Sequence, residues 1–209
     1  MKLIAPPDRY NFSFMAASLR PELGRTVAEI YLAEGDWSAA KRRILETNAL
    51  QCRSASSSIR MERELRQRLV TLTRAELTIL ATATADDRAA IAWLAVIKHT
   101  RFAYELAVEV LRDKLESLDP LLRYSDYETF VETKSISHPE LARLSKSSRE
   151  KVRQIVTSML AEAGLVGAGT GTVTIRRPVL SPPVLAVVLA DNPRWLAGFL
   201  VPDAEIRGL

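Results

Sequence analysis

Cysteine occurs once in these 209 residues, at Cys52, and histidine twice, at His99 and His138. One thiol excludes an internal disulfide, and with only two imidazoles beside it the donors are too few for an all-protein zinc site. No metal and no cofactor are therefore expected, and a reducing cytoplasm is the natural compartment. Glycine is scarce at 8 residues, while 47% of the chain is hydrophobic and 26% charged, which excludes a disordered chain and leaves one globular domain or two small ones. A long uncharged run is also missing. The most apolar stretch, residues 89–111, is interrupted by Lys98, His99, Arg101, Glu105 and Glu109, whereas a membrane span needs about 20 nearly uncharged residues. The start, MKLIAPPDRYNFSFMAASL, has no apolar core before its prolines, so neither a signal peptide nor a membrane partner is expected. Charge of one sign is nearly absent as a global feature. The 29 basic and 25 acidic residues leave only +4, so the position of the charge carries more information than its sum.

What is present is helical patterning, clearest in residues 141–180. The spacing predicts a short helix, a turn, a longer helix, then a small hairpin or extended tail. Ser147 with Glu150 fits a capping box and Gly164 fits the left-handed residue that ends a helix. Between them Val152, Ile155, Val156, Met159 and Ala163 recur on one face. Lys151, Gln154 and Ser158 lie away from that face, and Lys146, Arg149 and Arg153 flank it. An apolar back and a polar front, preceded by a short helix, is a helix-turn-helix layout.

The same organisation is expected near the start. Residues 1–14 suggest an extended arm. A helix then runs from Pro21 to about Glu34 and stops at Gly35, and Asp36 caps a second helix with Trp37, Ala40, Ile44 and Leu45 inward. After Thr47-Asn48-Ala49-Leu50, a third helix begins among Arg53 to Ser58 and reaches about Leu72, with Met61, Leu65, Leu69 and Leu72 facing a core. Arg53, Ser56, Arg60 and Arg63 project from its other side. Residues 41–68 hold eight basic groups (Lys41, Arg42, Arg43, Arg53, Arg60, Arg63, Arg66 and Arg68) against Glu46, Glu62 and Glu64. Arginine forks and a serine-rich helix start at Ser54, Ser56, Ser57 and Ser58 suit phosphate oxygens. The competing reading is a solvated face laced with Glu62–Arg66 and Glu64–Arg68 pairs.

Residues 73–134 are expected to be helical scaffold. Ile91, Leu94, Ala95 and Phe102 form one stripe and Trp93, Val96, Tyr104, Val108 and Leu111 another, the pattern of a central post buried all round, with His99 as a hydrogen-bonded core residue. Ser125 or Asp126 should cap a short helix carrying Tyr127, Phe130 and Val131. Ser181-Pro182-Pro183 and Asn192-Pro193 should start two more, rich in apolar residues up to Trp195, Leu196 and Phe199. That tail docks either on its own body or on a partner.

Several stretches in order resemble the BrxA family of BREX phage-defence systems, described as NusB-like. They are Leu50-Gln51-Cys52-Arg53-Ser54 with the helix from Arg60 to Leu69, Ala95–Thr100, His138-Pro139-Glu140-Leu141, Leu160-Ala161-Glu162-Ala163-Gly164-Leu165, and Ile175-Arg176-Arg177-Pro178 followed by Leu180-Ser181-Pro182. The resemblance implies a small, predominantly α-helical, non-enzymatic core component with helix-turn-helix-like elements that binds duplex DNA. It would work beside a site-specific DNA methyltransferase, an ATPase, a protease-like protein and a phosphatase-like protein, and the family has no catalytic residues to transfer.

Two motifs suggest chemistry and are set aside. Gly164, Gly167, Gly169 and Gly171 follow a helix and lead into the strand-like Val173-Thr174-Ile175, whereas a phosphate-cradling loop follows a strand and opens a helix. Asp126, Glu132 and Lys134 lie along one amphipathic helix, not on adjacent strands converging on a metal. Cys52 has no histidine near it in sequence to activate a nucleophile. The expectation is thus an all-α, compact bundle with two helix-turn-helix-like units and room for a β-hairpin wing near 165–178. Its parts are residues 1–72, a scaffold at 73–135, and residues 136–209 with the docking tail. A monomer would bind duplex DNA through Lys41, Arg42, Arg43, Arg53, Ser56, Arg60, Arg63, Arg66, Lys146, Arg149, Lys151, Arg153, Gln154, Arg176 and Arg177. A protein–protein adaptor using the tail, and NusB-like RNA binding, are the alternatives.

Overall fold

Most of the helix boundaries follow from capping chemistry. The computed structural model describes residues 9–169 and 171–209. Pro21 opens α1 (Pro21–Glu34), where its missing N–H costs nothing, and Gly35 closes it at φ +70°. Asp36 caps α2 (Trp37–Glu46), accepting from the Ala39 N–H at 2.8 Å. Ser54 caps α3 (Ala55–Leu69) and Thr73 caps α4 (Arg74–Thr82) with a complete capping box to Glu76. α5 (Ala85–His99) follows. A continuous rod then comprises α6 (Arg101–Leu106), a π turn (Ala107–Arg112) and α7 (Asp113–Glu116). Strand β1 (Leu121–Leu122) precedes α8 (Tyr124–Ser135), the single turn α9 (Pro139–Ala142) and α10 (Lys146–Glu162). β2 (Val173–Thr174), α11 (Pro182–Asp191), a 3-10 segment (Pro193–Phe199) and α12 (Asp203–Ile206) complete the chain. The fold is predominantly all-α.

One hydrophobic core runs from Tyr10 to Val201 and draws on every part of the described chain. α5 is its post: each residue from Ile91 to Lys98 is buried. α1 packs on α2, α3, α4 and α5, while α3 also packs against α5. The tail closes the other side. Trp195, Leu196 and Phe199 are buried, and the Trp93 indole donates to the Gly198 carbonyl at 2.9 Å. Docking on its own body is thus the outcome for the tail, and the aromatic side chains on which the adaptor reading rests are occupied within the chain.

Several expectations need correction. Thr100 adopts an extended backbone (φ −123°, ψ 99°) and divides the expected single post into α5 and α6. α10 is capped by Ser145, which accepts from the Ser148 N–H, and not by Ser147; Glu150 instead binds Arg153 and Gln154. α8 begins at Tyr124, because the Asp126 carboxylate reaches back to the Arg123 N–H at 2.7 Å instead of Asp126 or Ser125 standing at the cap. Leu72 lies beyond the end of α3 but is still buried. Residues 121–122, expected to be helical, form a strand. The segment after Asn192-Pro193 winds as 3-10 instead of α-helix.

The expected extended arm lies outside the described residues for 1–8. From Tyr10 onward the chain is docked, with Tyr10 and Phe14 buried and a 3-10 turn at Ser13–Ala16. Tyr10 stacks on His138 at 3.8 Å, and its hydroxyl donates to Glu105 at 2.5 Å. Burial alone would raise the Glu105 carboxyl. The Lys134, Tyr10 and Arg101 donors outweigh it and hold the group below its ordinary 4.5. A carboxylate depressed in the fold contributes stability above its unfolded pKa and loses it as pH falls through the lower folded value. Urea unfolding from neutral to acid pH should therefore show Glu105→Gln with a flatter acid limb than the parent. Parallel acid limbs would mean that the arm is held by packing alone.

Candidate nucleic-acid interface

The outer face of α3 is cationic because its acids turn inward. Glu62 is 0% exposed and Glu64 4%, and each takes an arginine of its own helix: Arg66 Nε lies 2.6 Å from Glu62, and Arg68 Nε 2.9 Å from Glu64. The i, i+4 pairing thus claims Arg66, and Arg68 is buried altogether. Arg60 and Arg63 remain exposed on the opposite side, as does Arg53 before the cap, with no carboxylate at ion-pair distance among the described residues. Lys41 and Arg42 on α2 are likewise exposed and unpaired there, whereas Arg43 binds Glu34 at 2.6 Å.

α3 and α10 start with the same serine arrangement. Ser54-Ala55-Ser56-Ser57 and Ser145-Lys146-Ser147-Ser148 share the spacing S-x-S-S. In each, the capping hydroxyl lies 3.1 Å from the second serine hydroxyl and 3.0 or 2.9 Å from the third. Ser56 sits in the first of these, exposed. Sequence reasoning passes over Ser145, Ser147 and Ser148 as phosphate-facing groups, because Ser147 also fits a cap; the repeated tetrapeptide is the signal that finds them. Free N–H groups and hydroxyls at a helix start favour an anion.

α10 presents Lys146, Lys151, Gln154 and Ser158 outward, with Val152, Val156, Met159 and Leu160 buried behind them. Lys146 and Lys151 have no carboxylate partner among the described residues. Arg153 does not share that freedom. It is clamped to Glu150 at 2.5 Å and lies over the Tyr124 ring at 4.9 Å, and the Glu150 hydrogen bond raises its guanidinium pKa. Gln154 donates to Glu150 at 3.2 Å. Arg149 is half-buried and donates to the Ala142 carbonyl at 3.0 Å, tying α9 to α10.

A small sheet follows α10. Its middle strand pairs Leu121↔Thr174 and Leu122↔Val173 on one side and Val166↔Ile175 on the other. Gly167 N–H donates to the Thr174 carbonyl at 2.8 Å and Arg176 N–H to the Leu165 carbonyl at 2.8 Å. The connection between these strands includes Gly171 at φ +90°. The order is helix (α6–α7), strand β1, helices α8 and α9, helix α10, then a hairpin whose return strand pairs with β1. Arg176 is exposed beside this hairpin without a carboxylate partner among the described residues, while Arg177 is paired bidentately with Glu205. The 3-10 turn at Ser13–Ala16 packs against both α3 and α10, so the two cationic helices share one support. Of the residues set aside above, Asp126 binds Lys114, Lys134 binds Glu105 and Glu109, and Glu132 is exposed.

Fold and surface together define a small, predominantly α-helical protein that carries two cationic helices on one support. The BrxA family model matches residues 8–192, and the chain belongs to that family. A relative described as "BREX protein BrxA" from Escherichia coli O9:H4 (strain HS) is 29% identical over 142 residues, covering 68% of this chain and 67% of that protein. A crystal structure of an uncharacterized protein from Magnetospirillum magneticum is similar in fold, with a TM-score of 0.79 at 21% identity over 92% of this chain and 98% of that one.

Proposed function

We propose that this protein is a non-catalytic component of a BREX defence system that holds duplex DNA, as a monomer, mainly through its phosphates. The observation that carries the reading is the segregation of charge on α3, where Glu62 and Glu64 face the core and Arg60 and Arg63 face solvent. The units at 1–72 and 136–209 act as helix-turn-helix-like modules and supply one cationic helix each. The scaffold at 73–135 lends β1 to the sheet after α10, and that helix–strand–helices–hairpin order supports reading the second module as winged. Family membership and the name of the E. coli relative support the BREX context, in which other BREX components are the protein partners. Exposed arginine and lysine with few outward base-reading groups favour affinity over sequence discrimination.

The test is a salt series of duplex binding with two unrelated sequences. The parent should lose affinity steeply as salt rises and discriminate little between them. Arg60→Ala/Arg63→Ala and Lys146→Ala/Lys151→Ala should each weaken both duplexes alike and reduce the log–log salt slope by about 1.8, roughly 0.9 for each phosphate no longer neutralised. Low-salt binding by both double variants equal to the parent would refute the interface. Preference for structured RNA in direct competition would replace DNA with RNA as the ligand.

A further inference from the structure

A second cationic feature lies away from these helices. The C-terminal turns and the α6–π–α7 rod enclose an open cavity of about 350 Å³, at the small-ligand end of binding-pocket sizes. Tyr104, Val108 and Arg112 line one wall, and Arg194, Asp203 and Arg207 line the other. Tyr104, Val108 and Arg112 stand four residues apart and so share one face of the rod, and the π turn at Ala107–Arg112 lies along this wall; such turns recur at functional sites.

Three guanidinium groups and one carboxylate, Asp203, thus line this cavity among the described residues. Asp203 is taken by Arg112 at 2.6 Å. Arg194 Cζ lies over the Trp195 ring at 4.5 Å, and neither the Arg194 nor the Arg207 side chain has an acceptor among the described residues. The Nε atoms of both Arg112 and Arg194 are buried without a hydrogen-bond partner among the described residues, although Arg112 Nε lies 3.8 Å from Glu116. Buried donors normally find partners, and like charges gathered in a concave site call for an anion.

We infer that this cavity binds a small phosphate-bearing molecule, such as a nucleoside diphosphate, through Arg112, Arg194 and Arg207. Phosphate supplies multiple acceptor oxygens and more than one charge, which matches planar guanidinium forks better than a single carboxylate does. The inference does not rest on the DNA reading.

Calorimetric titration of the full chain with inorganic phosphate, pyrophosphate and ADP tests it. One-site binding of pyrophosphate or ADP is expected, and a preference for ADP would identify the nucleoside form over the free phosphate group. Arg194→Gln/Arg207→Gln should weaken binding by about tenfold for each arginine while leaving duplex affinity unchanged. Arg207→Gln alone, at an exposed position, should show the smaller step if the double variant proves unstable. No binding by any probe, or parental binding by the variants, would overturn the inference. A parallel loss of duplex affinity would do the same by assigning these arginines to the nucleic-acid surface.

Discussion

Replacing Lys98 with methionine is expected to destabilise the protein by about 3–5 kcal/mol, a fall in Tm of roughly 6–20 °C for a chain of this length. Lys98 Nζ lies 2.8 and 2.7 Å from the two Glu76 oxygens and 2.9 Å from Asp191; Lys98 and Glu76 are buried and Asp191 is half-buried. Glu76 is 0% exposed and also accepts from the Thr73 N–H, while Asp191 accepts from the Trp195 indole at 3.1 Å. One ammonium therefore joins the start of α4, the post α5 and the docked tail. Without it the Glu76 carboxylate stays in the interior with no counter-charge and the half-buried Asp191 loses its partner, and that loss is far larger than the net worth of the intact pair. Burial already pushes the Glu76 carboxyl upward against the pull of Lys98. In the variant its folded pKa lies above the unfolded value, so stability is recovered at acid pH and lost as pH rises through that folded pKa. Adding Glu76→Gln should return part of the deficit at neutral pH. Denaturant unfolding of the single and double variants measures both effects. A deficit under about 1 kcal/mol would reduce the cluster to the worth of a surface ion pair.

Arg68→Ala should cost about as much, roughly 3–5 kcal/mol, although Arg60→Ala, eight residues earlier on the same helix, should stay within about 0.5 kcal/mol. Arg68 is 2% exposed. Its guanidinium binds Glu64, the Ser18 carbonyl at 2.9 Å and the Ala17 carbonyl at 2.8 Å, which fixes the segment after the 3-10 turn onto α3. Burial lowers its pKa, while Glu64 opposes that shift. Alanine would strand a buried carboxylate and two buried or half-buried carbonyls. Thermal unfolding and duplex binding should separate the two positions: Arg68→Ala loses stability, and Arg60→Ala loses affinity. Equal Tm values for both variants would show that Arg68 is not a structural arginine.

Element starts and stops were legible where a single residue type has one strong use. Pro21, Gly35, Asp36, Gly164 and Ser181 stand where their backbone chemistry demands. The buried stripes of α3 and α10 followed from period alone. What depended on distant partners was not legible. Leu121–Leu122 has no strand signal of its own and becomes β1 because the return strand of the hairpin, some fifty residues on, pairs with it. Ser145 and Ser147 compete for one cap; Ser145 takes it, and Arg149 in the first turn ties α10 to α9.

The sequence by itself determined an all-α chain, the order of its helices and the density of basic residues in 41–68, because periodicity, capping and charge are local properties. Only the tertiary structure decided which of the chain's cations are available. Arg43, Arg66, Arg153 and Arg177 meet carboxylates and Arg68 is buried, while Arg60, Arg63, Lys146 and Lys151 are left facing water. Spacing along a helix already offers Glu62 to Arg66, but packing joins residues far apart in the chain, and it is packing that buries Arg68 against the Ala17 and Ser18 carbonyls and brings Glu205 to Arg177.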